Sequence, residues 1–148
     1  MEFFRGNMKP LYLLDTNVIS ELFKPHPNEH LLEYFQQRIG LCVLCAISRQ
    51  ELVYGMERLP VGKRRDCIYR TLEELFSRMD VLPYDSFASR ICGELLARCE
   101  KWGFVAPYAD TQIASIAISN NMILVTHNLK DFLPLAENSL LKVEDWWG

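Results

Sequence analysis

The chain has 148 residues, which fits one domain with a proper hydrophobic core. Its hydrophobic content of 49% is ordinary for a globular protein, and its longest apolar runs are strand-sized, which argues against a membrane span. The net charge of −3 argues against a protein that coats nucleic acid through a broad basic face. We expect a single domain over residues 1–148, with residues 1–9 as a flexible N-terminal extension.

The N-terminus and the cysteines indicate a reducing compartment. Residues 1–9 lack the apolar core of a secretory signal, so we expect a cytoplasmic protein that starts at Met1 or Met8. Cys42 and Cys45 form a C-x-x-C motif within an apolar run, but strand side chains three residues apart point to opposite faces. With five cysteines in the chain, buried reduced thiols are favoured over a zinc site or a disulfide.

Short apolar runs alternate with runs of helical periodicity along the chain. The predicted strands are residues 11–14, 41–47, 81–83, 123–126 and 141–143. The predicted helices include residues 29–38, 48–59, 63–78 and 108–119. A further helix is predicted between a cap at Thr16 or Asn17 and Pro25, and another between a cap at Asp85 or Ser86 and Gly103. Strands that are apolar on both faces and separated by helices predict an α/β fold, with a central parallel sheet of four to five strands and helices on both of its faces.

Capping signals refine these boundaries. Thr16 or Asn17 is the expected cap of the first helix. Ser48 followed three residues later by Glu51 matches a capping box, which predicts a helix start at Ser48. Residues 127–132 are predicted to form the exit loop of the fourth strand.

Four acids follow the predicted strands or begin the predicted helices, and each has a structural explanation of its own. Asp15 could cap a helix, Glu51 could complete the capping box, and Asp110 and Asp131 could complement helix dipoles. In open α/β sheets, however, functional crevices lie beyond the carboxyl ends of the strands. Carboxylates that meet there repel one another unless a cation neutralises them, and Mg²⁺ favours such hard oxygen ligands. The sequence therefore predicts one metal-binding pocket at these four acids.

Four segments carry a family resemblance. They are Leu13-Leu14-Asp15-Thr16-Asn17-Val18-Ile19-Ser20, Ser48-Arg49-Gln50-Glu51-Leu52-Val53-Tyr54-Gly55, Asp110-Thr111-Gln112-Ile113-Ala114-Ser115-Ile116-Ala117 and Val125-Thr126-His127-Asn128-Leu129-Lys130-Asp131-Phe132. In this order and spacing they resemble the signature blocks of PIN-domain nucleases, and most of all the VapC-type toxins of toxin–antitoxin pairs. The resemblance implies a PIN-like three-layer sandwich.

By this resemblance, the four acids correspond to the acidic positions of the family. Asp15 and Asp110 would be direct metal ligands, whereas Glu51 and Asp131 would act through water or hold a second ion. The resemblance implies a Mg²⁺-dependent endoribonuclease, with Mn²⁺ as a substitute, whose hydrolysis of RNA leaves 5′-phosphate and 3′-hydroxyl ends and inhibits translation or growth. A chemical rationale is that bound metal activates water and stabilises the leaving oxygen.

Other polar residues have weaker signals. Thr16, Asn17, Thr126 and Asn128 match positions that orient carboxylates, water or substrate, although helix capping and turn formation explain them equally well. His127 lies in the predicted exit loop and could contact phosphate. The basic cluster, which could guide RNA to an acidic surface or simply be a solvated helix start, consists of Arg58, Lys63, Arg64 and Arg65.

Partners follow from the resemblance alone. VapC-type proteins pair as homodimers and are silenced by a small VapB-type antitoxin, whose tail places a basic side chain among the acids. The antitoxin, rather than this chain, would contact operator DNA, so the direct nucleic-acid partner is the RNA substrate. No membrane partner is expected.

Three other functions compete with the nuclease. A receiver-type phospho-acceptor domain needs an acid pair after the first strand and an acceptor Asp after the third, where Asp85 is a better helix cap. A haloacid-dehalogenase-like phosphatase needs a second Asp where Asn17 stands. A PIN fold that binds or processes RNA without a toxin role remains open, since the acids do not distinguish it.

Overall fold

A computed structural model of the protein describes residues 9–148. Its strands are β1 Tyr12–Leu14, β2 Cys42–Cys45, β3 Val81–Leu82, β4 Ile123–Val125 and β5 Lys142–Glu144. They form one sheet in the order β3-β2-β1-β4-β5, and every neighbouring pair is parallel. The predicted parallel sheet is therefore confirmed, with five strands.

Seven α-helices lie within the described residues: α1 Thr16–Leu22, α2 Glu29–Arg38, α3 Ala46–Glu57, α4 Lys63–Arg78, α5 Ser86–Lys101, α6 Tyr108–Ser119 and α7 Leu129–Glu137. The bounds of α2, α4 and α6 are those predicted. Gly103, at φ 81°, ends the segment after α5 in a conformation that favours glycine. No helix of residues 9–148 has the length and apolar character needed to cross a bilayer. The predicted N-terminal extension falls outside the described residues except for Lys9.

Helices cover both faces of the sheet because successive strand residues point in opposite directions. In β1, Leu13 packs into a core with α5, α6 and α7, whereas Leu14 packs into a second core with α1 to α4. The same alternation separates Cys45 from Cys42, and both thiols are buried. This arrangement confirms the three-layer α/β/α sandwich and the opposed placement of the two cysteines.

The predicted second strand, 41–47, is too long. β2 ends at Cys45, whose extended backbone caps α3, so the helix begins at Ala46 instead of Ser48. Ser48 lies inside α3 with its side chain buried, and the predicted capping box does not form. A short apolar run alone does not distinguish a strand from the first turn of a helix, because apolar side chains can face the core from either conformation.

Two further boundaries differ from the prediction. Residues 127–132 are not a single loop, because α7 begins at Leu129. The spacing of Phe132 and Leu135, both fully buried, gives α7 an apolar side that packs into the core. The last strand is shifted by one residue from 141–143, since its register with β4 pairs Val125 with Glu144.

Candidate active site

The four acids lie after or beside the three central strands of the sheet. Asp15 directly follows β1, Glu51 lies in the second turn of α3 after β2, and Asp131 lies in the first turn of α7 after β4. Asp110 occupies the first turn of α6. Because β2, β1 and β4 are neighbours and parallel, the segments that leave them emerge at one edge of the sheet. We call these four carboxylates the acid site.

Asp15 is held firmly at the end of β1. Its backbone N–H donates to Val125 O at 2.9 Å, and its side chain accepts from Thr16 N at 2.8 Å. The Asp15 side chain therefore caps α1, the place predicted for Thr16 or Asn17. Only 5% of Asp15 is exposed. Burial raises its pKa to about 6; the hydrogen bonds from Thr126 and Thr16 oppose this shift, and the charge of Glu51 adds to it.

Thr126 joins the two strand exits at β1 and β4. Its buried hydroxyl donates to Asp15 Oδ2 at 2.8 Å and accepts from Asn17 Nδ2 at 3.3 Å and from Asn128 N at 2.9 Å. A hydroxyl has one proton and two lone pairs, so these three bonds use its full capacity. Asn17 Oδ1 also accepts from His127 N at 3.4 Å. The structure thus brings together three of the predicted supporting residues, namely Asn17, Thr126 and Asn128.

Glu51 reaches the acid site from α3. Its side chain is exposed, and its Oε1 accepts from Thr16 Oγ1 at 3.0 Å. Since Ser48 does not form a capping box, helix capping does not explain Glu51, and Thr16 is its described hydrogen-bond donor. Within residues 9–148 no hydrogen bond to Glu51 Oε2 is present, which leaves that oxygen available to solvent or to a ligand.

Asp110 is the acid with the least compensation. Burial, then the charges of Asp15, Asp131 and Glu51, and a hydrogen bond with the Asp131 carboxyl group all raise its pKa, to about 7. Asp131 also accepts from Asn128 Nδ2 at 3.0 Å, which fixes its position at the start of α7. The influence of three acids on the pKa of Asp110 means that the four carboxylates share one electrostatic environment.

The acid site fits a divalent cation. The ion pairs between described residues involve Glu21, Glu57, Glu74, Glu94 and Asp145, so none of them neutralises the acid site. Within residues 9–148, no three or more metal-binding side chains lie close enough to enclose an ion as they stand. Mg²⁺ needs no such cage, because it keeps several waters and uses few carboxylates. The hard oxygen donors of the four acids are the ligand type that this ion prefers.

A pocket adjoins the acid site, and we call it the tail pocket because the C-terminal tail forms one of its walls. Its volume is about 390 Å³, and its lining consists of Asn17, Ser20, Glu21, Lys24, His127, Asn128 and Trp147. Asn17 and Asn128 connect this pocket to the acid site, since Asn128 donates to Asp131 and Asn17 donates to Thr126, which in turn bonds to Asp15. His127 was among the predicted site residues, whereas Ser20, Lys24 and Trp147 were not.

The C-terminal tail reaches this pocket through a buried anchor. Trp146 is 2% exposed, packs edge-on against Tyr12, and donates from Nε1 to Glu144. His30 on α2 bonds to Trp146 O at 2.8 Å. The sequence signals that could have suggested this role for the tail are the paired tryptophans and the family-like segment Val143-Glu144-Asp145-Trp146.

The basic cluster spans the end of α3 and the start of α4. Arg65 forms an ion pair with Glu57, and the guanidinium of Arg58 lies 5.3 Å from the ring centroid of Tyr54. Lys63 and Arg64 are exposed. Arg58 follows Glu51 by two helical turns, so both lie on one side of α3, about 10 Å apart along its axis.

The geometry is unfavourable for a receiver domain. Asp85, the residue in the acceptor position, caps α5 by accepting from Ala88 N at 2.9 Å. It takes no part in the interactions described above for the acid site.

Comparison with known proteins agrees with the geometry. The PIN domain family model matches residues 12–137. The chain is 36% identical over 126 residues to the VapC ribonuclease Y4jK of Sinorhizobium fredii, which covers 82% of this chain and 90% of that protein. It is 32% identical over 136 residues to the tRNA(fMet)-specific endonuclease VapC of Salmonella typhimurium, with 91% and 97% covered.

Solved structures show the same fold. The DNA-bound VapBC of Salmonella typhimurium contains a chain with a TM-score of 0.76 and 31% identity, and the match covers 93% of this chain and 98% of that one. The family model and both relatives extend over most of the sequence, and the family model spans all four acids. The chain therefore belongs to the PIN-domain family and, within it, to the VapC ribonucleases, the toxins of type II toxin–antitoxin systems.

Proposed function

We propose that the acid site hydrolyses RNA phosphodiester bonds with Mg²⁺, for which Mn²⁺ can substitute. The observation that supports this most is the pair formed by Asp15 and Asp110, two carboxyl groups whose pKa values are raised to about 6 and about 7 by burial and by the neighbouring acids. Perturbed carboxylates with no basic partner are expected where a protein holds a cation for catalysis.

The residues divide into ligands and supports. Asp15 and Asp110 would hold Mg²⁺ directly, and Glu51 and Asp131 would act through water or hold a second ion. Bound Mg²⁺ would supply Lewis-acid stabilisation of the phosphate charge and would lower the pKa of an attacking water. Thr126 and Thr16 keep Asp15 and Glu51 in place, and Asn17 and Asn128 do the same for Thr126 and Asp131.

The chain's own groups account for the proton transfer. Water attacks phosphorus, the bond from phosphorus to the 3′-oxygen breaks, and that oxygen takes a proton from solvent water, so the products carry a 5′-phosphate and a 3′-hydroxyl. Thr16 occupies Glu51 Oε1, which leaves Oε2 to accept the proton of the attacking water. Because Glu51 is exposed, it can pass that proton to solvent and repeat the cycle.

RNA would approach over the basic cluster. Lys63 and Arg64 are exposed, whereas Arg65 is engaged with Glu57, so we assign the first two the larger share of phosphate contact. Arg58 lies on the same side of α3 as Glu51 and would link the cluster to the acid site. His127 is proposed as a further RNA contact.

The experiment is cleavage of total RNA, including transfer RNA, by the purified full chain. Wild-type protein should cut in Mg²⁺ or Mn²⁺ and stop in excess EDTA, and Asp15→Asn should be inactive while its circular dichroism stays native. End-group analysis should find 5′-phosphates. Cleavage that persists in EDTA, or an Asp15→Asn chain with full activity, would contradict the proposal.

We further propose that the chain forms a homodimer and is inhibited by a VapB-type antitoxin. A basic antitoxin side chain would neutralise the uncompensated carboxylates that otherwise bind metal. DNA contact would then come through the antitoxin. Co-purified complex should cut RNA much more slowly than the chain alone, and equal rates would exclude this inhibition.

A further inference from the structure

We propose that the tail pocket binds one RNA nucleotide next to the scissile phosphate and that His127 selects RNA over DNA by contacting its ribose 2′-hydroxyl. This inference rests on the ribonuclease function proposed above, and it assigns substrate recognition to residues outside the acid site. The first support is location, since the side chains of Asn17 and Asn128 line the pocket and also hold Thr126 and Asp131.

The pocket has a suitable size and lining for a nucleotide. Its volume of about 390 Å³ falls within the usual range for small-ligand sites, about 300–1,000 Å³. Its walls provide an ammonium group, a hydroxyl, two amides and an indole, which suit a phosphate, a ribose and a base.

His127 is held in one orientation at this pocket. Its Nδ1 lies 3.0 Å from Asp145 Oδ2, and its ring stacks on Trp147 with centroids 4.4 Å apart and planes 13° apart. Asp145 Oδ1 accepts from Trp147 N at 3.0 Å, so one carboxylate positions both stacked residues. Asp145 and Trp147 thus hold the imidazole from two directions, although its side chain is 54% exposed.

This geometry leaves Nε2 as the ring nitrogen for a ligand. When Nδ1 carries a proton for Asp145, a neutral imidazole accepts at Nε2, and a charged one donates there. A ribose 2′-hydroxyl can donate and accept, so it bonds to Nε2 in either state. That hydroxyl is also the group by which a protein distinguishes RNA from DNA.

Lys24 can provide the phosphate contact. Its Nζ pairs with Glu21 Oε1 at 2.9 Å, and Glu21 Oε2 accepts from Asn28 N, which anchors the acid. The lysine side chain is 62% exposed, and an exposed ion pair three residues apart is weak. Lys24 can therefore leave Glu21 for a phosphate without disturbing the fold.

The test uses an RNA oligonucleotide that spans a cleavage site mapped in total RNA, together with versions that carry one 2′-deoxy nucleotide each. For wild type, one deoxy position beside the scissile phosphate should raise KM on the order of five- to ten-fold, because loss of one hydrogen bond weakens binding by about that factor. The kcat should change little. His127→Ala should raise KM for the all-ribose RNA by a similar factor and should be insensitive to that deoxy position.

The controls separate recognition from folding. His26→Ala, at an exposed histidine outside the pocket, should retain the full deoxy effect. Asp145→Ala should lose much of the deoxy effect, whereas Asp145→Asn should keep it. In Asp145→Asn the amide can donate its N–H to Nδ1, and the proton of the neutral imidazole then lies on Nε2, which can donate to the 2′-hydroxyl. Lys24→Ala should lower the salt dependence of RNA binding, and Lys101→Ala should not.

The outcomes are distinguishable. If wild type cuts RNA but the deoxy and His127→Ala effects multiply independently at every position, His127 does not contact the 2′-hydroxyl and this inference is wrong. A His127→Ala loss confined to kcat or to thermal stability leads to the same conclusion. If wild type does not cut RNA in Mg²⁺, the ribonuclease proposal itself fails.

Discussion

The acid site and the tail pocket are neighbours with opposite charge organisation. In the acid site, Asp110 has acids around it, and each of them raises its pKa. In the tail pocket, Glu21 forms an ion pair with Lys24, and His127 has a hydrogen bond to Asp145 beside the pocket. Asn17 and Asn128 line the pocket; Asn128 also bonds to Asp131 of the acid site, and Asn17 to Thr126, the residue that holds Asp15. Acidic side chains that lie close together in this fold therefore differ in whether a basic group neutralises them.

This difference indicates a division of labour. A carboxylate without a counterion lowers the stability of the folded chain but leaves a place for an external cation. Paired groups cost little and present a fixed surface to a ligand. In this chain, the region suited to a cation and the region suited to a nucleotide therefore have opposite charge arrangements.

The largest effect is expected from Asp110→Asn. Loss of a metal ligand should lower the rate of RNA cleavage by at least about 100-fold. The same change removes an uncompensated charge, so it should raise the free energy of unfolding of the metal-free chain at pH 8 by about 1–2 kcal/mol. Gel assays and urea titrations in EDTA measure the two quantities.

Asp66→Asn is the matched control for Asp110→Asn, because Asp66 is also in the first turn of a helix but is exposed. It should leave cleavage unchanged. A simultaneous loss of activity and stability in Asp110→Asn would mean that the charge at Asp110 does not oppose folding.

The second prediction concerns the hydroxyl that holds Asp15. Thr126→Val keeps the shape of the side chain but leaves Asp15 Oδ2, Asn17 Nδ2 and Asn128 N without this partner. We expect cleavage to fall about 10- to 100-fold, as for residues that orient metal ligands. Thr71→Val on the exposed side of α4 is the control, and equal activities of the two variants would contradict the role of Thr126.

The third prediction is a pH dependence of stability in the absence of metal. The pKa of Asp15 is 3.8 as a reference value and about 6 when folded, so the folded state binds more protons between these pH values. The free energy of unfolding should therefore fall as the pH rises from about 4 to about 7, by at most about 3 kcal/mol from this residue. Urea titrations across that range in EDTA measure it.

Mg²⁺ should reduce this pH dependence, because a cation at the acid site stabilises the ionised carboxylates of the folded chain. Asp110→Asn should also weaken the dependence. A chain that becomes more stable between pH 5 and pH 8 without metal would show that the carboxylates are compensated.

The smallest effect is expected from the basic cluster. Replacing Lys63 and Arg64 by Ala should weaken RNA binding several-fold and lower the slope of log affinity against log salt by about 0.7 for each phosphate that the variant no longer neutralises. Lys101→Ala with Lys142→Ala is a control of equal charge at exposed positions. An unchanged slope in the first double variant would remove these residues from the RNA path.

The sequence predicted the fold well because its signals are local. Apolar periodicity and stop residues defined α2, α4 and α6 to the residue, and the alternation of elements predicted the parallel sheet. The boundary between β2 and α3 was wrong because the apolar run continues from Cys45 into the first turn of the helix. Composition does not distinguish these two conformations when both are buried.

Of the site, the sequence located the acids but not their environment. The sequence alone shows that Asp15 follows a predicted buried strand, and it also shows the four family-like segments. Whether a carboxyl group is buried, and which neighbours raise its pKa, depends on how the segments pack. Only the tertiary structure therefore shows that hydrogen bonds from Thr126 and Thr16 oppose the pKa shift of Asp15, whereas every neighbour named for Asp110 raises its pKa.

By itself, the sequence predicted the alternation of strands and helices as far as β4 but not α7, and it singled out four acids and the family that they resemble. Only the tertiary structure placed the Thr126 hydroxyl on Asp15, 111 residues away in the sequence. It also brought Asp145 and Trp147 into contact with His127 at the tail pocket. The physical reason is range. Backbone conformation and hydrophobic periodicity are set by near neighbours, whereas hydrogen-bond partners and electrostatic fields are set when distant segments dock across the sheet.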